Sequence, residues 1–104
     1  MMDLLPEANF KHGPICCTPE VKESLKNDRF KHFFIRSLSK YFLGNWGNVS
    51  SDEWLRNNRA MRMGERIMAQ YEDLSVTRKK PFPTLVIMTE PRGAKTIVSF
   101  SEVY

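Results

Sequence analysis

Residues 44–54, Gly-Asn-Trp-Gly-Asn-Val-Ser-Ser-Asp-Glu-Trp, constrain the fold more tightly than any other stretch of the chain. They stop one helix and start another within a few positions. Gly44 follows Leu43 where a glycine takes the left-handed conformation that ends a helix. Ser50 and Glu53 have the spacing of a capping box, and Val49 and Trp54 occupy the positions of a hydrophobic staple. A chain punctuated this way places two helices side by side through a tight connection.

The flanking segments supply those helices. Phe30, Phe33, Phe34, Leu38, Tyr41 and Phe42 recur at helical spacing and predict one broad apolar face over residues 29–43. Ahead of them, Thr18-Pro19-Glu20 reads as a helix start, with Thr as N-cap and Pro at the first helical position. Val21 and Leu25 then form an i,i+4 apolar pair, so a helix of about two turns is expected. Downstream, Trp54, Ala60, Met61, Gly64, Ile67, Met68 and Tyr71 share one side of a helical wheel. They predict a third and longest helix over residues 51–72, with its methionines as core packing. A glycine inside a helix costs about 1 kcal/mol against alanine. A close helix or sheet contact is therefore expected at Gly64.

The pattern changes at Ser75. Arg78-Lys79-Lys80-Pro81-Phe82-Pro83 is a basic loop broken by proline. Residues 84–89 and 95–100 are β-branched and strand-like, and Glu90-Pro91-Arg92-Gly93 between them fits a type I turn. The prediction is an antiparallel hairpin, with a third strand allowed at residues 74–77. Residues 1–17 read as an irregular lead-in with one short strand near Ile15. The expected fold is α+β, with two or three N-terminal helices packed on a small C-terminal antiparallel sheet, in one domain spanning residues 1–104.

Charge and reactive groups bear on function. Sixteen Lys and Arg against twelve Asp and Glu give a net charge of +4, which favours an acidic partner, either nucleic acid or a carboxylate-rich protein surface. No apolar run approaches the ~20 residues needed to cross a bilayer, and MMDLLPEANFKHG lacks the features of a secretory signal, so a cytoplasmic protein without membrane association is expected. Cys16 and Cys17 are adjacent, which disfavours a disulfide between them, and no zinc-binding spacing is present; both are read as buried or idle thiols. His12 and His32 lack the orienting partners that acid–base catalysis requires, and no Gly-rich phosphate loop appears. Neither a catalytic residue, a metal nor a cofactor is expected.

The informative feature is a pair of basic stripes. Arg29, His32, Arg36 and Lys40 run along the second helix at 3, 4 and 4 spacing; Arg56, Arg59, Arg62 and Arg66 run at 3, 3 and 4 on the third. Like charges at these spacings repel by a few tenths of a kcal/mol per pair. The stripes read either as a solvated surface or as a docking face for an acidic surface or phosphate backbone. Lys79 and Lys80 extend the basic set. Trp46 lies outside both periodic faces and either covers the core edge or anchors a partner.

Thr18-Pro19, Gly44-Asn45-Trp46-Gly47, Asn58, Gly64-Glu65-Arg66, Tyr71, Met88-Thr89-Glu90, Thr96 and Glu102-Val103-Tyr104 occur in that order. In this the chain resembles a family of small proteins of plasmids, integrative elements and phages, often labelled plasmid-related or type I restriction endonuclease subunit M. Asn45 stands where that family has Asp, and Pro91-Arg92-Gly93 replaces an Ala-Asp-Arg turn. The resemblance implies a small α+β domain and a mobile-element setting, and it implies no reaction. The expected function is that of a non-enzymatic binding protein docking on a host macromolecular complex, as an anti-CRISPR or anti-restriction inhibitor acting sterically through its basic faces. Two alternatives stand beside it. One is an accessory protein that contacts the phosphate backbone of DNA or RNA. The other is a toxin-like ribonuclease using Arg92, Glu90 or His32.

Overall fold

The apolar spacing of the chain is helical in its first half and alternates every two residues in its second, and the fold follows that division. In the computed structural model, which describes residues 5–74 and 81–101, a short strand β1 (Ile15–Cys17) precedes three helices, α1 (Pro19–Ser24), α2 (Asp28–Phe42) and α3 (Ser51–Met63). Strands β2 (Ile67–Tyr71), β3 (Leu85–Thr89) and β4 (Thr96–Phe100) follow. The architecture is α+β, as the sequence predicts, but the sheet has four strands in the order β1-β4-β3-β2. The β2–β3 and β3–β4 pairs are antiparallel; β1, at the strand position expected near Ile15, runs parallel to β4.

Local chemistry sets the helix ends. Asn27 caps α2, its side chain accepting the N–H groups of Arg29 (2.9 Å) and Phe30 (3.2 Å). At α3 the capping box forms: Glu53 N–H donates to Ser50 Oγ (3.1 Å), and the Glu53 carboxylate accepts from the Ser50 backbone. Thr18 occupies the N-cap of α1, yet its side chain makes no capping hydrogen bond.

The third helix is shorter than expected. It stops at Met63 because Gly64 takes the left-handed conformation (φ 70°) that ends a helix. No atom crowds the place a Cβ would occupy at Gly64, so backbone conformation, and not the expected close contact, accounts for this glycine. Ile67 and Tyr71 satisfy a helical wheel and a two-residue repeat equally. With Ala69 they point into the core from β2, and Met68 lies on the opposite face. The third hairpin-side strand thus lies at β2, before the expected position. Of that position, residue 74 is outside any strand and residues 75–77 lie outside the described residues. The β3–β4 turn differs too: Arg92 has φ 62° and ψ 19°, as at the third position of a type II turn.

One face of the sheet meets the helices. Phe30, Phe33, Phe34, Leu38, Tyr41 and Phe42 of α2 pack with Ile67, Ala69, Tyr71, Leu85, Ile87 and Val98 of the strands. Full burial of such a side chain is worth about 1.5–3 kcal/mol. Residues 44–48 become a strap along the outer edge of β2. Asn48 N–H donates to the Gln70 carbonyl (2.7 Å), and Asn48 Oδ1 accepts from Glu72 N–H (3.0 Å). From α3, Asn57 Nδ2 donates to the Met68 carbonyl (2.8 Å) while Met68 N–H donates to Asn57 Oδ1 (3.3 Å). Main-chain and side-chain groups together thereby stand in for a neighbour strand and blunt an edge that would otherwise template aggregation.

A buried hydroxyl chain ties four segments together. Tyr41 Oη lies 2.6 Å from Thr89 Oγ1, which lies 2.8 Å from Thr96 Oγ1, which donates to the His12 carbonyl at 2.7 Å. The direction follows from the last link. A carbonyl only accepts, so Thr96 spends its proton on His12; Thr89 must then donate to Thr96, and Tyr41 to Thr89. Burial pushes the Tyr41 phenol well above its ordinary range, and does the same to Tyr71, whose hydroxyl donates to the Asn45 carbonyl (2.6 Å).

Candidate functional site

The α3 helix presents the most developed outward face. At 100° per residue, Asp52, Leu55, Arg56, Arg59, Arg62 and Met63 fall within about a third of its circumference. All six are exposed, Leu55 at 66% and Met63 at 63%. This face therefore combines a row of three arginines with two large apolar side chains. The arginines are legible in the spacing of the sequence, whereas Met63, expected in the core, is exposed, and Leu55 has no sequence signal that marks it. Arg66 is exposed but lies beyond Gly64, in the link to β2, so it is not part of the helical row.

The second stripe is also outward. Arg29, His32, Arg36 and Lys40 are exposed along α2. Arg36 and Lys40 form one wall of an open cleft of about 490 Å³, faced by Asn45, Asn48 and Glu72. Asp73 also lines it, and its carboxylate accepts the Phe82 N–H at 2.9 Å.

Few of these charges are neutralised. Between described residues two ion pairs form, Lys26 with Glu23 at 3.0 Å and Arg59 with Glu65 at 3.8 Å, and all four side chains are at least half exposed. Pairs of that kind are worth about 0–1 kcal/mol. Arg29, Arg36, Lys40, Arg56, Arg62 and Arg66 have no carboxylate partner among the described residues.

Trp46 requires a correction, since it is not available as a partner anchor. Its side chain is fully buried, its indole N–H donates to Asn58 Oδ1 (2.9 Å), and its ring meets those of Tyr41 and Phe10 at 5.5 and 5.9 Å. Asn45 makes this possible by accepting the Gly47 N–H (3.0 Å) and so closing the turn that drives the indole inward. Lys79 and Lys80 lie outside the described residues. Cys16 is exposed, not buried, and Cys17 half-buried; both are free thiols, and burial pushes the Cys17 thiol up.

A further cationic grouping escaped the sequence. Lys11, Arg62 and Arg92 line a cavity of about 280 Å³ at the C-terminal end of α3, together with Phe10, Met61, Glu65 and Thr89. The three cations lie in different segments, so no local spacing could reveal them. His32 and Glu90, named with Arg92 in the ribonuclease alternative, do not line this cavity.

Among the described residues no three His, Cys, Asp or Glu side chains come together as they would around a metal ion. None of the described helices is long and apolar enough to cross a membrane. Comparison of the chain with protein-family models, curated proteins and solved structures gave no match.

Proposed function

We propose that this chain is a binding protein of a mobile genetic element that inhibits a host defence complex, of the CRISPR–Cas or restriction type, by occupying an acidic surface on it. The mobile-element setting rests on the ordered motifs from Thr18 to Tyr104, and the mode of action on the outer face of α3.

The observation that carries the reading is the mixture on that face. Arg56, Arg59 and Arg62 lie beside exposed Leu55 and Met63. Arginine and methionine are enriched where proteins meet proteins, and lysine is depleted there. A phosphate backbone has no use for Leu55 or Met63. Arginine forks bind carboxylates bidentately, while the apolar pair supplies area whose burial does not depend on salt.

The test has two stages. The purified chain is mixed with assembled defence complexes of several types, and target cleavage is measured with and without it. Inhibition by the wild type, lost on combined Arg56→Glu, Arg59→Glu and Arg62→Glu replacement and weakened by Leu55→Asp, is expected. No capture and no inhibition across those types would sink the proposal. Tight binding to naked DNA or RNA that falls steeply with salt and ignores Leu55→Asp would replace it with the backbone-contact alternative.

A further inference from the structure

The cavity at the end of α3 has a different character from the docking face and carries a separate inference. Backbone contacts hold together the segments that carry its three cations. A Cβ at Gly93 would lie 2.5 Å from the Lys11 carbonyl oxygen, so only glycine lets the N-terminal segment lie against the β3–β4 turn. The next residues of that segment are fastened by Thr96, whose N–H donates to the Pro14 carbonyl at 2.8 Å. Arg92 N–H donates to the Gly64 carbonyl at 2.8 Å, joining the same turn to the end of α3. Lys11, Arg62 and Arg92 therefore reach the cavity from three segments whose backbones are tied to one another.

Arg92 occupies this place against its own backbone preference. Among the described residues it is the one non-glycine at positive φ; Gly13, Gly44, Gly47, Gly64 and Gly93 fill the other such positions. A strained residue held in place by its surroundings is a pointer to use of its side chain. Glu65 is the acid lining the cavity, and it also lies 3.8 Å from Arg59. The end of α3 contributes partial negative charge of about half a unit, which three cations outweigh. Phe10, Met61, Ala60 and Ile67 add apolar surface to the lining.

We propose that this cavity binds a single nucleotide through its terminal phosphate, with Lys11, Arg62 and Arg92 on the phosphate and the Phe10–Met61 surface against the base. Arginine and lysine from several directions suit a compact dianion, and an aromatic beside a thioether suits a base of any sequence. At about 280 Å³ the cavity is sized for one small ligand. Such a phosphate belongs either to a free mononucleotide or to the 5′ end of a strand. The inference shares Arg62 with the docking reading but is tested apart from it, because Lys11 and Arg92 lie outside the α3 face.

Calorimetric titration of the full chain with adenosine 5′-monophosphate and with adenosine tests it, alongside a 5′-phosphorylated and a 5′-hydroxyl oligonucleotide of one sequence. The phosphate is expected to improve affinity about tenfold or more, roughly the effect of one strong charge-assisted contact. Preference for the monophosphate alone identifies the free nucleotide; preference for the phosphorylated strand identifies a strand end. Arg92→Gly should reduce phosphate-dependent binding about tenfold while raising the melting temperature, since glycine accepts the left-handed backbone without strain. A merely structural arginine would not separate those two readouts. Lys11→Gln should weaken binding with the melting temperature unchanged. The proposal is overturned if neither phosphorylated probe binds better than its dephosphorylated counterpart, or if Arg92→Gly keeps full affinity.

Discussion

The two sides of α2 follow opposite rules. Toward the sheet, aromatic residues enclose polar groups that are all paired: among the described residues no buried side-chain nitrogen or oxygen lacks a hydrogen bond. Toward solvent, Arg29, Arg36 and Lys40 carry charge that no described carboxylate neutralises. The same division runs through α3, where Asn57 and Ala60 face inward and Arg56, Arg59 and Arg62 outward. The inner chemistry is closed on itself, so it explains stability. The outer chemistry is left open, and the fold has no need of it.

The largest test of that division is Trp46→Ala. It removes a fully buried indole and leaves Asn58 without its donor. A loss of about 3–5 kcal/mol is expected, measured by chemical denaturation. Total stabilities of domains run to only about 5–15 kcal/mol, so much of the fold is at stake. A loss below about 1 kcal/mol would mean that residues 44–48 are a detachable loop and the inner region is less closed than described.

Alkaline pH probes the same interior without mutation. Burial holds the phenols of Tyr41 and Tyr71 above their unfolded value near 10. Below that value both states are protonated and the two groups add no pH dependence. Above it the unfolded chain releases protons that the folded chain retains, so stability falls as pH rises. The expected slope approaches about 1.4 kcal/mol per pH unit for each tyrosine. Denaturation midpoints followed from pH 9 upward should bend downward near pH 10, and the bend should halve in Tyr71→Phe. A flat profile would show that these hydroxyls are hydrated.

The order of the hydroxyl chain gives a sharper and smaller effect. If Tyr41 donates to Thr89, then Tyr41→Phe removes only an incoming donor and Thr89 still has a use for its proton. Thr89→Val instead strands the Tyr41 O–H in the core. The expected losses are about 1 kcal/mol for the first and about 1–3 kcal/mol for the second. Equal losses, or the reverse order, would break the assigned direction.

What the sequence disclosed follows the same boundary. The capping box at Ser50, the stop at Gly44, the α2 face and the β3–β4 hairpin were legible because each is a short-range pattern with its own physical cause. The run from Ala60 to Tyr71 reads as helix in the sequence because Ile67 and Tyr71, four apart, satisfy both a helix and a strand. Only the left-handed backbone at Gly64, which a sequence does not display, decides between them. The position of Trp46 was equally hidden: its burial depends on Asn58, twelve residues away, and on the Asn45 turn. Several residues of the ordered motifs prove to be scaffold: Trp46, Tyr71, Thr89 and Thr96 are buried in the interior, and Asn58 accepts from the Trp46 indole. The arginine rows were legible as spacing, whereas the meeting of Lys11, Arg62 and Arg92 needed three segments to be brought together.

The smallest expected stability effect is the most informative about the outer region. Replacing Arg56, Arg59 and Arg62 together by Gln removes three exposed charges, one of which has a weak 3.8 Å partner in Glu65. Surface changes of this kind usually fall within about 0.5 kcal/mol each, and here the loss of the ion pair is offset by relief of repulsion along the row. The melting temperature should therefore stay within a few degrees of the wild type, while capture of an acidic partner is lost. If the triple variant instead unfolds, the arginines are part of the scaffold and the contrast between the two sides of the helices collapses. If it folds and still captures its partner, the charge on α3 is solvated surface, and Leu55 and Met63 alone would have to account for docking.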